Sequence, residues 1–146
     1  VTVPPLSLLG IAFVGTFFWP LSPEAAAALG ASRYGWHPVL VGLVGATGQG
    51  AAYVVLFAFG DQIRQRWGWF DRQCQKVRLR FGKRLTGSTP FLAITSGLIG
   101  LPPTSATAAI APGLGLSPWA LLPLMFAMRG VRFAVVAALA REALLP

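Results

Sequence analysis

The chain has 146 residues, a length that fits one domain. It is 55% hydrophobic and only 11% charged, with a mean hydropathy of +0.65, whereas a soluble domain carries about 25% charged residues. Too few polar side chains are present to cover a water-facing surface, so an integral membrane protein is expected. The net charge of +8 sits mostly in one block between apolar segments, which argues for a cytoplasmic loop and against a nucleic-acid ligand. One cysteine, Cys74, excludes an internal disulfide, and one histidine, His37, leaves no zinc ligand set. No metal or cofactor is expected.

Uncharged runs cover residues 1–23, 34–60 and 85–128. In chain order, residues 6–19 form a first apolar arm; no basic residue precedes it, so it does not read as a secretory signal peptide. Pro20-Leu21-Ser22-Pro23 breaks it, and residues 24–30 (EAAAALG) form a second short arm of high helix propensity. A polar turn at 31–35 leads into a clean span at 39–60, whose 22 residues suffice for a hydrocarbon core of about 30 Å. Residues 61–88 form the basic segment, with Arg64, Arg66, Arg72, Lys76, Arg78, Arg80, Lys83 and Arg84 against Asp61 and Asp71. Trp67, Trp69 and Phe70 interleave with its arginines, the pattern of an amphipathic segment at the inner interface, where anionic headgroups lie. Residues 89–100 and 105–111 are each too short to cross, and they join at Leu101-Pro102-Pro103-Thr104 as a re-entrant hairpin. A full span follows over 117–140, in which Pro123 kinks the helix or lies in its first turns.

The two halves align without a gap at an offset of 80: Pro23 with Pro103, Gly35 with Gly115, Pro38 with Pro118, Gly50 with Gly130. Each Gly/Pro match marks a backbone irregularity. Each half reads as arm, broken tip, short arm, polar turn and full span, an order that points to the binding region of a secondary transporter. The expected organisation is one membrane domain over 1–146: repeat 1 at about 6–60, the basic segment at 61–88, and repeat 2 at about 89–140.

Few residues can carry chemistry. Glu24, directly after Pro23, is the only acid before residue 60. It is either a helix-start carboxylate favoured by the dipole, or an intramembrane acid that pairs, carries a proton or binds a cation. Arg129 and Arg132, at i, i+3, share one face of the last span. They either snorkel to lipid phosphates or serve a site, and a guanidinium suits bidentate phosphate binding. Gly42, Gly45, Gly48 and Gly50 form a small-residue stripe suited to close helix packing. Gln49 and Tyr53 line a polar cavity or hydrogen-bond between helices. Thr104, Ser105 and Thr107 lie at the second tip, where free N–H groups can cradle an anion or the side chains satisfy the broken backbone. His37 belongs with Trp36 and Tyr34 in an interfacial aromatic belt. No acid–base constellation accompanies Glu24, so an enzyme is not expected.

Pro20-Leu-Ser-Pro-Glu24 with its alanine-rich arm, the small-residue span ending at Gly60 and the basic loop are similar to the DedA superfamily of membrane proteins, also called the VTT or SNARE-associated family. So are Ser96-Gly-Leu-Ile-Gly-Leu-Pro-Pro103, Ala111-Pro-Gly113 and Arg129-Gly-Val-Arg132-Phe133. The resemblance covers about residues 6–140 and is closest to the short, YqaA-like members. It implies an all-α integral membrane protein with two inverted repeats, each a re-entrant helical hairpin followed by a transmembrane helix, joined by a basic cytoplasmic segment. It also implies flipping or scrambling of phospholipids or polyprenyl phosphates, linked in some members to the proton gradient, with an essential acid at Glu24 and essential arginines at Arg129 and Arg132. Two departures stand out: Trp36 occupies the region of the family's second acid, and the second tip has no arginine.

The expected function is therefore a phosphate-lipid transporter or flippase of the bacterial inner (cytoplasmic) membrane, multi-pass, with loop 61–88 cytoplasmic and the two tips meeting near the midplane. Glu24, Arg129 and Arg132 are the central site residues, with Pro23, Gln49, Thr104 and Ser105 around them. The partners are membrane lipids, with proton coupling and a homodimer formed through the glycine stripe. The alternatives are a non-catalytic subunit of a larger membrane complex and an exporter of small cations.

Overall fold

The computed structural model describes residues 6–18, 21–87, 94 and 104–143. The helices are α1 (Leu6–Phe17), α2 (Pro23–Tyr34), α3 (Pro38–Arg66), α4 (Gly68–Gly87), α5 (Thr104–Ile110) and α6 (Pro118–Glu142), with a 3-10 turn at Pro112–Leu114. No strand occurs among the described residues, so the protein is all-α. Two helices, α3 and α6, are long and apolar enough to cross a membrane. Their 29 and 25 residues rise about 43 and 38 Å at 1.5 Å per residue. The 12-residue helices α1 and α2 rise only about 18 Å each. The expected arm at 89–100 and the tip Leu101-Pro102-Pro103 lie outside the described residues, apart from Ile94.

Local chemistry explains the helix ends. Ser22 caps α2, its hydroxyl oxygen accepting from the Ala25 N–H at 3.2 Å, and Pro23 takes the first position, where a missing N–H removes no helical bond. The polar turn expected at 31–35 starts later, because α2 runs on to Tyr34. Ala31 is needed in the core, where it packs with Leu8, Ala27, Val41, Phe133 and Ala137. Gly35 ends α2 in the left-handed region, at φ +67. His37 starts α3, its Nδ1 accepting from the Val39 N–H at 3.3 Å. That helix overruns the expected end at Gly60 because no breaker precedes Gly68 and Arg64 pairs with Asp61 at 3.3 Å along it.

A left-handed glycine recurs 80 residues later with different bonds: at Gly35 its own N–H and the Trp36 N–H both reach the Gly30 carbonyl oxygen. Leu116 N–H donates to Ala111 O at 3.0 Å and Gly115 N–H to Pro112 O at 3.1 Å around a left-handed Gly115, a Schellman-type cap. Among the described residues Gly35 and Gly115 alone have positive φ, and Pro38 and Pro118 open the two long helices. Pro123 lies inside α6, at its sixth residue, and the helix continues through it.

The chain divides into two compact units. The first holds α1, α2, residues 38–52 of α3 and residues 126–142 of α6. Here α1 and α2 fold back on one another: Leu8 shares a core with Ala31, while a Cβ on Gly15 would lie 2.6 Å from the Leu21 carbonyl oxygen and 3.2 Å from Pro23 Cδ. The α3 and α6 segments run antiparallel. A Cβ on Gly42 would meet the Gly130 carbonyl oxygen at 2.7 Å, one on Gly45 Phe133 at 2.8 Å, and one on Gly50 Phe126 at 2.9 Å.

These contacts give the glycine stripe the close-packing role expected of small residues. Gly42, Gly45 and Gly50 are consumed against α6, and Gly48 against Leu9 and Ala12 of α1. The close approach that small residues allow is used inside one chain.

The second unit spans residues 53–125. In it α5 packs against α4 and along the end of α3, where Gly60 meets the Ala109 backbone. Phe70, Cys74 and Val77 form the inner face of α4. Arg64 fastens the α3–α4 corner, with Nε donating to Asp71 Oδ1 at 2.8 Å and Nη1 to Asp61 Oδ1 at 3.3 Å.

Candidate functional site

Charge is scarce in the first unit, and the structure collects much of it in one place. Glu24 stands in the first turn of α2, behind the Ser22 cap and the buried Pro23. Arg129 and Arg132 project from the middle of α6, between Pro118 and Glu142. Their i, i+3 spacing puts both guanidinium groups on one helical face. A single carboxylate oxygen of Glu24 receives both: Arg129 Nη1 at 3.2 Å and Arg132 Nε at 3.2 Å. The side chain of Arg129 is only 10% exposed, that of Arg132 29% and that of Glu24 24%.

Backbone geometry makes this meeting possible. Gly15 lets the α1–α2 break close tightly, and the glycines of α3 let α6 approach within backbone contact. The α2 N-terminus adds favourable dipole and N–H groups near the carboxylate. The three formal charges sum to +1. Two guanidinium groups converging on one oxygen form an anion-holding arrangement, occupied here by the protein's own carboxylate. A phosphate brings more acceptor oxygens than the carboxylate and could replace it at the same donors.

No family model, no curated protein and no solved structure matches this chain.

Of the other expected site residues, Pro23 precedes Glu24 at the start of α2. Gln49, on α3 in the first unit, is buried, 5% exposed. Thr104 and Ser105 open α5 in the second unit. Thr104 is buried, and its hydroxyl oxygen accepts from Tyr53 Oη–H at 2.9 Å. That bond links two side chains, as expected for a Tyr53 that hydrogen-bonds between helices, and α5 is seven residues long. Thr107 is likewise buried. Among the described residues no cluster of His, Cys, Asp and Glu could hold a metal.

Sequence reasoning missed three features. Gly15 was not singled out, although a glycine one turn before a Pro-rich break is a usable signal. Trp36 lays its ring over Gly30 and stacks on Tyr34 at 6.0 Å, so it packs against α2. Phe70 points inward, whereas Trp67 and Trp69 remain 41% exposed; of the three aromatics only the tryptophans are available to an interface.

Proposed function

We propose that the protein is a multi-pass inner-membrane transporter that moves a phosphate-bearing lipid, a phospholipid or a polyprenyl phosphate, across the bilayer. The observation that carries the reading is the ion pairing of Glu24 with Arg129 and Arg132, two arginines in the middle of an apolar helix long enough to span. Charges at that depth are expensive and tend to mark substrate pathways. The proposed membership of the DedA superfamily rests on the residues already quoted.

Inverted repeats are part of the proposal. In support, the helices opened by Pro38 and Pro118 run antiparallel where they touch. Gly50 faces Phe126, and Gly130 faces Ala46; an offset of 80 converts each contact into the other. The tip residues correspond too. Glu24 bonds to arginines of α6, and Thr104, 80 positions on, bonds to Tyr53 of α3. Each short arm thus reaches the long helix of the other half.

The proposed mechanism is competition. In the resting state Glu24 holds the two guanidinium groups. An entering headgroup takes over their donors and displaces the carboxylate. Departure of the headgroup returns Glu24 to the arginines. In liposomes carrying fluorescent phosphate lipid, the wild type flips and both Glu24→Gln and Arg129→Ala do not. Flipping by both variants would remove the site, and no transport of any lipid by folded wild type would move the reading to a non-catalytic membrane subunit.

A further inference from the structure

The outer face of α4 is unlike any other helix face among the described residues. Phe70, Cys74 and Val77 turn inward at helical spacing. On the opposite side, at 100° per residue, lie Trp69, Arg72, Lys76, Leu79, Arg80 and Lys83, all exposed. Leu79 is 88% exposed amid these cations, and Trp69 is 41% exposed. The only acid on the helix, Asp71, is engaged elsewhere, by Arg64 and by the Gln75 side-chain amide at 2.9 Å. The face therefore combines cations with protruding apolar and aromatic side chains. That combination fits an anionic bilayer surface, where cations meet headgroups while a leucine and an indole enter the acyl boundary.

We infer that this face docks on the anionic headgroup surface of the bilayer and tethers the second unit to it. The partner is a lipid surface, distinct from the single lipid headgroup at Glu24. The inference rests on membrane residence but not on the charge triad. Each cation beside an anionic surface changes partitioning by about fivefold, so removing three of them lowers it by roughly a hundredfold.

The test uses the full chain with Leu79→Cys, labelled at neutral pH with an environment-sensitive fluorophore. Buried Cys74, its thiol pushed up to about 11 by burial, reacts little, and the unsubstituted protein measures that background. In nanodiscs containing phosphatidylglycerol the probe should brighten and resist aqueous iodide, and in purely neutral phosphatidylcholine it should do neither. High salt should reverse the effect, as should Arg72→Gln, Lys76→Gln and Arg80→Gln combined. The combined variant should keep its helix content and its triad-dependent flipping, which separates this proposal from the transport reading. A probe response equal in both lipids, or one in phosphatidylglycerol that survives both salt and the triple substitution, would overturn the inference. If the triple variant fails to fold, the salt titration on the otherwise native face decides it alone.

Discussion

Glu24 binds two arginines through one oxygen, so each of the three residues has a different expected phenotype. Removing the carboxylate takes the Glu24 ion pair from Arg129, which is nearly enclosed by protein. Glu24→Gln should lower stability by about 2–4 kcal/mol, below the upper end for a buried pair because Glu24 is partly exposed. Thermal unfolding in detergent measures this, and an unchanged midpoint would mean the pair holds nothing together. Arg132→Ala should do less, since that side chain is more exposed. Cys74 offers a second test at this scale. Burial pushes its thiol from 9.0 to about 11, with Arg64 opposing and Asp71 reinforcing. The unfolded chain therefore loses that proton first, so the contribution to stability is intact below about pH 9 and is lost as pH rises through about 11. Thiol alkylation at pH 8 should be slow in the folded protein and fast after denaturation; equal rates would contradict the burial.

At the scale of elements, the glycines decide how close helices come. Gly42→Ala drives a methyl group into the Gly130 carbonyl and should destabilise by about 1–3 kcal/mol. Gly10→Ala meets nothing within 4 Å and should be neutral or slightly stabilising. Equal midpoints for the two variants would refute the α3–α6 contact. Much of this level was readable from the chain. Pro38 and Pro118 announce the long helices, and Ser22-Pro23-Glu24 is a helix start in every particular. The scarcity of acids left Arg129 and Arg132 few partners besides Glu24. Other features were not readable. The glycine stripe shows that something approaches closely without saying what, so a second chain and α6 were equally compatible with it. The inward turn of Phe70 and Cys74 depends on which side α5 packs. The role of Arg64 between α3 and α4 depends on a helix break at Trp67 that no proline announces.

For the whole molecule, the recurrence of one design at an offset of 80 matters more than any single contact. Both halves use a left-handed glycine and then a proline to launch a long helix, and both place a polar residue at the start of the short arm. The halves differ in charge: the first arm carries Glu24 against two arginines, the second carries Thr104 against a tyrosine. In the proposed transport cycle the first half holds the charged site and the second a neutral counterpart, which confines the proposed exchange of a phosphate for a carboxylate to the first. The central claim is that lipid phosphate and Glu24 compete for the same guanidinium groups. The most direct measurement is the affinity of a polyprenyl phosphate, against the same polyprenol without phosphate, for wild type, Arg129→Ala and Glu24→Gln in one detergent. The account predicts a wild-type preference for the phosphate that falls at least about tenfold in Arg129→Ala, the loss expected for one charge-assisted contact, and rises in Glu24→Gln because the competitor is gone. Equal affinity for both lipids, or the same preference in all three proteins, would contradict it.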